Sequence, residues 1–596
     1  MTASPPPNPL APIDDFFVSA VNALQVPGMT LSVLHKGERL IHRGAGVRRL
    51  DRPTDDPTNA MDVDSLAMVC SLTKAMTAAA VGILVHRGKL DWTTPVVAYL
   101  PEFALSDPEA TKRVTLVDLL AHRTGVVGDE DFLWIGDRGD MLAIASLLKI
   151  APHMPFGGPF RSSSYYSNFM AAVAALVVER VSGQSIADFV DENILRPLNM
   201  RDGVWSMDEF YAHPKSVRLH DVVHPRTDPA EFAADVAYNK DAPINAMYAQ
   251  PESAVVDGLE EARALPIRQR VMPMYGSHYR DYVGIGFYCS TANDMIKWGQ
   301  CWASGGKSAS GQQVLFELDT LTKLHNPTGG MYESEADGAH GLRTLGFACG
   351  WIVQQFGEHE VLMHTGGFPG TGCVLVVVPG ADIVIYLSGN QTTVDMDEIL
   401  IQLSLHALLP VHRADVEKVT VASALKQLPK MKAEFVARQG IRLRSLLGET
   451  NPFAATAPAP AALPATWPEL CGNYYHPAFG TLTILLDAMA GDDNDEDAVP
   501  ALRVIRAPEF NKRLFRVSAT SALAKKKFTD PTNAFMTFPG TMLLCFRQVE
   551  GEDDTAVQQP PSCSVSKGRV WQPLRRYEVV LMERVTGIEL VFPRRD

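Results

Sequence analysis

The spacing of apolar positions along the chain changes character several times, and the changes outline its architecture. A helical period over 14–24 is followed by GMTLSVLHKGERLIHRGAGV (28–47), two strand-like runs joined at His35-Lys36-Gly37. Helical patterns then dominate, over 71–88, 115–121, 141–150, 168–181, 186–194 and 292–302. Continuous apolar runs of strand length return at 347–354, 374–378 and 383–387, and a helix follows over 396–408. Strands at both ends of a largely helical middle predict one sheet assembled from the two termini of a domain, with a helical subdomain inserted beside it. Residues 450–468, TNPFAATAPAPAALPATWP, read as a semi-rigid Pro/Ala linker. Beyond it the period drops to two in GTLTILL (480–486), ALRVIR (501–506), RLFRV (513–517), TMLLCF (541–546) and YEVVLMERV (577–585), which predicts a small all-β domain, barrel or sandwich. The expected fold class is therefore α+β, with boundaries at 14–410 for the first domain, 411–468 for a helix and linker, and 469–596 for the all-β domain.

Composition refines this only slightly. At 596 residues the chain exceeds what one core ordinarily supports, and 46 % hydrophobic with 20 % charged residues is a globular balance. A net charge of −14 argues against nucleic acid or an anionic membrane as the main partner. MTASPPPNPLAPIDDFF lacks the basic and apolar regions of a secretory signal, and the apolar runs near 75–85 and 170–178 are too short to cross a bilayer. Eight cysteines without a C-x-x-C pair fit reduced thiols, so a cytoplasmic protein without metal or cofactor is expected. The acidic run 491–497 lacks the ligand pattern of an EF-hand and reads as a solvated hairpin tip. HDVVH (220–224) places two histidines four apart, but in a Pro- and charge-rich setting where a metal site is not expected.

Ser-x-x-Lys occurs five times, at Ser71/Lys74, Ser146/Lys149, Ser304/Lys307, Ser423/Lys426 and Ser564/Lys567. Only the first opens a stretch, SLTKAMTAAAVGILVHRG, that is apolar almost all round and hence buried. Lys74 shares a helix face with Ser71, and a lysine taken out of water favours its neutral, proton-accepting form. The helix N-terminus would favour negative charge developing on the serine. The competing reading is an N-cap serine beside a snorkelling lysine. Cys70, next to Ser71, reads as a small apolar filler. Two further elements follow: Tyr166-Ser167-Asn168, the single Tyr-x-Asn in the chain, and His364-Thr365-Gly366-Gly367 before the strand CVLVVV.

The order S-x-x-K, Y-x-N, H-T-G resembles the serine β-lactamase-like superfamily of penicillin-recognising enzymes. The flanking text agrees: PGMTLSVLHKGERLIHRGAG resembles its first strands, and LVDLLAHRTGV (116–126) its H-x-S-G stretch, here with Thr124. FRSSSYYSNFMAAVAALVVERVSGQSIADFVDENILRPLNM (160–200), GIGFYCSTANDMIKW (284–298) and HTGGFPGTGCVLVVVPGADIVIYLSGN (364–390) continue the match, over roughly 14–410. LCGNYYHPAFGTLTI (470–484) is similar to the β domains appended to some D-aminopeptidase-like members.

The resemblance implies an antiparallel sheet flanked by helices, and a mechanism in which Ser71 forms an acyl-enzyme. Lys74 and Tyr166 share the serine proton, and Asn168 bonds Lys74 or the substrate amide. The backbone N–H groups of Ser71 and Gly367 form the oxyanion hole, beside His364, Thr365 and Gly366. A histidine at 364, where β-lactamases carry lysine, makes an anionic β-lactam a poor fit and a neutral ester or an amide a better one. The expectation is a serine hydrolase acting on a small-molecule ester or amide other than penicillin. The alternatives are an acyltransferase of secondary metabolism on the same site, a D-aminopeptidase-like peptidase, and a non-catalytic scaffold. The long segment 205–283 reads as a lid or a partner surface, and the sequence does not fix the oligomeric state.

Overall fold

The computed structural model describes residues 8–126, 148, 151–154, 156–162, 164–223, 268–271, 284–327, 341–368, 370–391, 396–410 and 418–446, together with the backbone of eight strands between 472 and 595. The expected helix 141–150 except Leu148, most of the 205–283 segment, the 450–468 linker and the acidic run 491–497 lie outside the described residues. The described elements fall into two units, one carrying β1–β12 and the helices around them, the other β13–β20.

In the first unit β1 (Gly28–His35) and β2 (Glu38–Gly46) form the expected hairpin. Two short pairs lie apart from the main sheet, β3 (Ala67–Met68) with β6 (Cys289–Ser290) and β4 (His220–Val223) with β5 (Arg268–Val271). The main sheet is completed by β7 (Asn326–Pro327), β8 (Leu342–Ala348), β9 (Trp351–Phe356), β10 (His359–Phe368), β11 (Thr371–Val378) and β12 (Ile383–Gly389), in the antiparallel order β2-β1-β12-β11-β10-β9-β8-β7. The β1–β12 pairing, from Met29↔Gly389 to His35↔Ile383, joins the two ends of the domain through the sheet, as the pattern predicts.

β11 and β12 are buried along their whole length because both sheet faces are covered. On one face Val374, Val376, Ile383, Ile385 and Leu387 join a core with the helices Ala11–Ala23 and Met396–Leu408. On the other, the helix Ala292–Ala303 lies so close that a Cβ on Gly299 would stand 2.4 Å from a Val384 methyl. The inserted helices are led by Thr73–His86, buried from Thr73 to Leu84, which packs on Asn168–Ser182.

One element differs from expectation. The apolar run 347–354 reads as a single strand, but it is the reversal between β8 and β9. Gly350 adopts φ +76° and its N–H donates to the Leu120 carbonyl at 3.1 Å. A Cβ there would meet the Ala75 Cα at 2.9 Å, so this turn is pressed against the start of the Thr73–His86 helix.

The second unit is described by backbone alone. β13 (Gly472–His476), β14 (Gly480–Asp487), β15 (Ala501–Arg506), β16 (Phe515–Arg516), β17 (Met536–Thr537), β18 (Met542–Gln548), β19 (Tyr577–Glu583) and β20 (Glu589–Arg595) form one antiparallel sheet in the order β16-β15-β14-β13-β20-β19-β18-β17. Five of these coincide with the alternating segments of the sequence.

Candidate active site

Ser71 sits in a tight 3₁₀ turn, Cys70–Leu72, that feeds the Thr73–His86 helix. The turn is pinned on several sides: Val69 N–H donates to the Tyr288 carbonyl (3.0 Å), Cys373 Sγ to the Val69 carbonyl (3.1 Å) and Thr73 Oγ1 to the Cys70 carbonyl (2.7 Å). Cys70 is buried and takes the left-handed conformation, φ +45°, which few residues with a Cβ adopt. Ser71 does not cap the helix, whose N-terminus has no side-chain cap. Instead its Oγ lies 2.9 Å from Lys74 Nζ. Lys74 is 1 % exposed, and Nζ also donates to the Ile285 carbonyl at 2.9 Å.

The other Ser-x-x-Lys serines within the described residues have different employment. Ser304 Oγ donates to the carbonyls of Cys301 and Lys307, and Ser423 Oγ to that of Thr420. Ser146/Lys149 and Ser564/Lys567 lie outside the described residues.

Lys74 Nζ stands 5.0 Å from the ring centroid of Tyr166. Residues 164–167 are irregular and lead into the Asn168–Ser182 helix. Ser167, not Asn168, caps that helix, accepting the Met170 N–H at 3.1 Å; Asn168 is its first residue and is buried. The approach to Tyr166 is held by His122, a residue the sequence did not single out as chemical. Its carbonyl accepts the Tyr165 N–H (2.9 Å), its Nδ1 accepts the Ser167 N–H (3.2 Å), and its ring lies 4.4 Å from that of Tyr166. Because a backbone N–H can only donate, Nδ1 of His122 is unprotonated and the imidazole is neutral with its hydrogen on Nε2. Burial and the nearby charge of Lys74 push its pKa the same way, well below the usual histidine range.

The loop that follows His122 is anchored by a buried carboxylate. Asp118 accepts from Arg123 Nε (2.6 Å), Arg161 Nε (2.8 Å) and Nη2 (2.7 Å), and Thr115 N–H (2.8 Å). Burial alone would raise its pKa, but the bonds from Arg161 and Thr115 and the charge of Arg123 outweigh that and hold it below the ordinary carboxylate value.

The third wall is β10. Ladder register fixes which way its backbone points. His359 and Phe356 close the β9–β10 hairpin, so the pairs at 361 and 363 exchange hydrogen bonds with β9, and the even residues bond β11. The β9 ladder ends at Met363↔Ile352, whereas the β11 ladder continues to Phe368↔Thr371. The N–H groups of Thr365 and Gly367 therefore point away from β11, off an edge where β9 has already turned away. The space β9 vacates is where the Cys70–Leu72 turn packs on β10. A Cβ on Gly366 would lie 2.5 Å from the Val69 carbonyl and 2.5 Å from Cys373 Sγ, while one on Gly367 would meet nothing within 4 Å. Thr365 and Gly367 are exposed, and His364 and Gly366 buried.

His364 Nδ1 stands 2.6 Å from the Thr365 carbonyl, which only accepts, so Nδ1 carries the hydrogen and Nε2 is a lone pair. Burial, then the charge of Lys74, lower its pKa to about 4. At neutral pH it presents no positive charge to the site. The ring centroids of Tyr166 and His364 are 6.2 Å apart. Three separated sequence elements thus meet around Lys74.

The sequence profile of the Beta-lactamase family matches residues 13–407. The chain belongs to that family. Among its relatives, the unguisins hydrolase of Aspergillus campestris (strain IBT 28561) is 27 % identical over 493 residues, 80 % of this chain and 78 % of that protein. Penicillin-binding protein 4 of Amycolatopsis lactamdurans is 24 % identical over 371 residues, 61 % and 81 % of the two chains. The esterase EstB of Burkholderia gladioli is 32 % identical over 203 residues, 32 % and 50 %. With relatives named hydrolase and esterase, this β-lactamase-family chain is an enzyme of the group.

Two features of the site had no usable signal in the sequence. Ile285 acts through its carbonyl, which every residue possesses, and the left-handed turn at Cys70 is imposed by its surroundings. His122 lies in a stretch that resembles the family, but its role depends on contact with residues more than forty positions away. His220, half of the HDVVH pair, is no open ligand: Nε2 accepts the Leu50 N–H (3.1 Å) and Nδ1 donates to the Asn390 carbonyl (2.9 Å). His224 lies outside the described residues.

Proposed function

We propose that the chain is a serine hydrolase that turns over an ester or amide other than a penicillin through an acyl-serine. The observation that carries this reading is the 2.9 Å approach of Ser71 Oγ to the buried Lys74 Nζ. Lys74 in its deprotonated form, with Tyr166 beside it, takes the proton as Oγ attacks the carbonyl carbon. The resulting oxyanion is held by the N–H groups of Ser71 and Gly367, and the N-terminus of the Thr73–His86 helix adds favourable potential. Collapse of the tetrahedral species expels the alcohol or amine, which takes the proton back, and water then releases the acyl group by the reverse sequence. Asn168 orients the substrate amide, and Thr365 lines the exposed side of β10.

A neutral His364 offers nothing to a substrate carboxylate, which favours uncharged acyl groups. Similarity along most of both chains to a protein named unguisins hydrolase supports hydrolysis. Exposure to p-nitrophenyl butyrate is expected to leave a butyryl mass on Ser71, with a burst of p-nitrophenol that Ser71→Ala abolishes. A wild-type protein that stays unlabelled, or a Ser71→Ala variant of equal activity, would overturn the reading. Deacylation that accelerates strongly with added alcohols would move the assignment to acyl transfer.

A further inference from the structure

We propose that His122 is the positioning residue of Tyr166, gripping it from both sides of its backbone and across its ring. This rests on the acyl-serine reading above. Tyr166 belongs to no helix or strand, so nothing regular fixes its place. His122 constrains it at three points: its carbonyl holds the peptide N–H before Tyr166, its Nδ1 holds the N–H after it, and its imidazole lies 4.4 Å from the phenol ring.

His122 reaches both N–H groups from a left-handed backbone, φ +54°. Strained conformations of this sort persist where the surroundings over-determine them. Here Asn326 Nδ2 donates to the Ala121 carbonyl at 3.2 Å on one side, and the Asp118–Arg123–Arg161 ion cluster clamps the other. Phe347 meets the imidazole edge-on at 5.3 Å. The tautomer completes the device. Nδ1 accepts from Ser167, so the ring cannot gain a second proton without dropping that bond, and it adds no charge beside Lys74. His122 holds Tyr166 in place and does not itself exchange protons with the substrate.

The test is a double-mutant cycle on the full-length chain, with the burst of p-nitrophenol and the Ser71 adduct mass as readouts. His122→Phe keeps a ring and removes the acceptor; His122→Asn keeps an acceptor, tolerates the left-handed backbone and removes the ring. Misplacing a catalytic group by about 1 Å costs about 10²-fold. The acylation rate is expected to fall about 10²-fold in His122→Phe and about tenfold in His122→Asn, with KM within about threefold. In a Tyr166→Phe background either change should then cost less than about threefold. If a folded His122→Asn or His122→Phe acylates at the wild-type rate, or its loss multiplies fully in the Tyr166→Phe background, the positioning role is wrong. Should His122→Phe not fold, His122→Asn decides alone. Failure of the hydrolase reading looks different: the wild-type protein itself would form no adduct on Ser71.

Discussion

At the scale of single residues, the chemistry depends on how Lys74 is kept. In the proposed hydrolase, a lysine 1 % exposed, bonded to a carbonyl and facing a serine hydroxyl, moves a proton rather than holding a surface charge. Lys74→Met preserves much of the volume and removes the amine; acylation should drop by about 10²–10⁴-fold, the usual worth of a general base. Lys74→Arg is the sharper control, because a guanidinium stays protonated throughout the working range. It is expected to be as slow as Lys74→Met in burst experiments, and an active Lys74→Arg would remove the proton-acceptor role. The near-continuous apolar sequence around Lys74 made its burial legible. The left-handed Cys70 before Ser71 was not, since its conformation is set by Tyr288, Cys373 and β10 packing around the turn.

At the scale of elements, the site is built from a strand edge and a helix start. β9 turns away at the Cys349-Gly350 reversal, and the Cys70–Leu72 turn that feeds the Thr73–His86 helix packs on β10. Adjacent glycines on β10 should therefore respond in opposite ways. In Gly366→Ala the new methyl group collides with the Val69 carbonyl and Cys373, so the turn bearing Ser71 must shift. A loss of about 1–3 kcal/mol is expected from such overpacking, with Ser71 labelling slowed at least tenfold. In Gly367→Ala the methyl group enters open space, so the melting temperature should hold within about 2 °C while KM for bulky acyl groups rises. Equal melting temperatures and equal labelling rates in the two variants would refute this placement of β10. The pattern of apolar runs located β10, β11 and β12, but not the reversal inside 347–354. A fully buried hairpin and a long buried strand look alike in hydrophobicity, and only the pressure of Ala75 on Gly350 distinguishes them.

At the scale of the whole molecule, stability and pH are tied through buried imidazoles. His122, His220 and His364 all have depressed pKa values, those of His220 and His364 at about 4, chiefly through burial. The unfolded chain takes up these protons near pH 6.5 while the folded chain does not, so the unfolded state binds more protons between about 6.5 and 4. Stability should be insensitive to this effect above about pH 7 and fall as the pH drops through that window, by up to about 1.4 kcal/mol per pH unit for each histidine. Urea midpoints measured from pH 7.5 to 4.5 read this directly. His220→Gln, able to accept from Leu50 and donate to Asn390, should flatten the slope; a stability that stays level or rises on acidification would contradict the burial of all three.

The sequence by itself determined the local and periodic features: helices and strands of the β-lactamase-like domain, alternating strands among residues 480–583, and the three short motifs on which the proposed acyl chemistry rests. These are legible because side-chain periodicity and functional groups are properties of neighbouring residues. The tertiary structure alone decided that Lys74 meets the carbonyl of Ile285, which N–H groups of β10 point away from β11, and which tautomers His122, His220 and His364 adopt. It also brought His122 to Tyr166. Hydrogen-bond direction and burial are set by atoms distant in sequence, so no pattern along the chain encodes them singly.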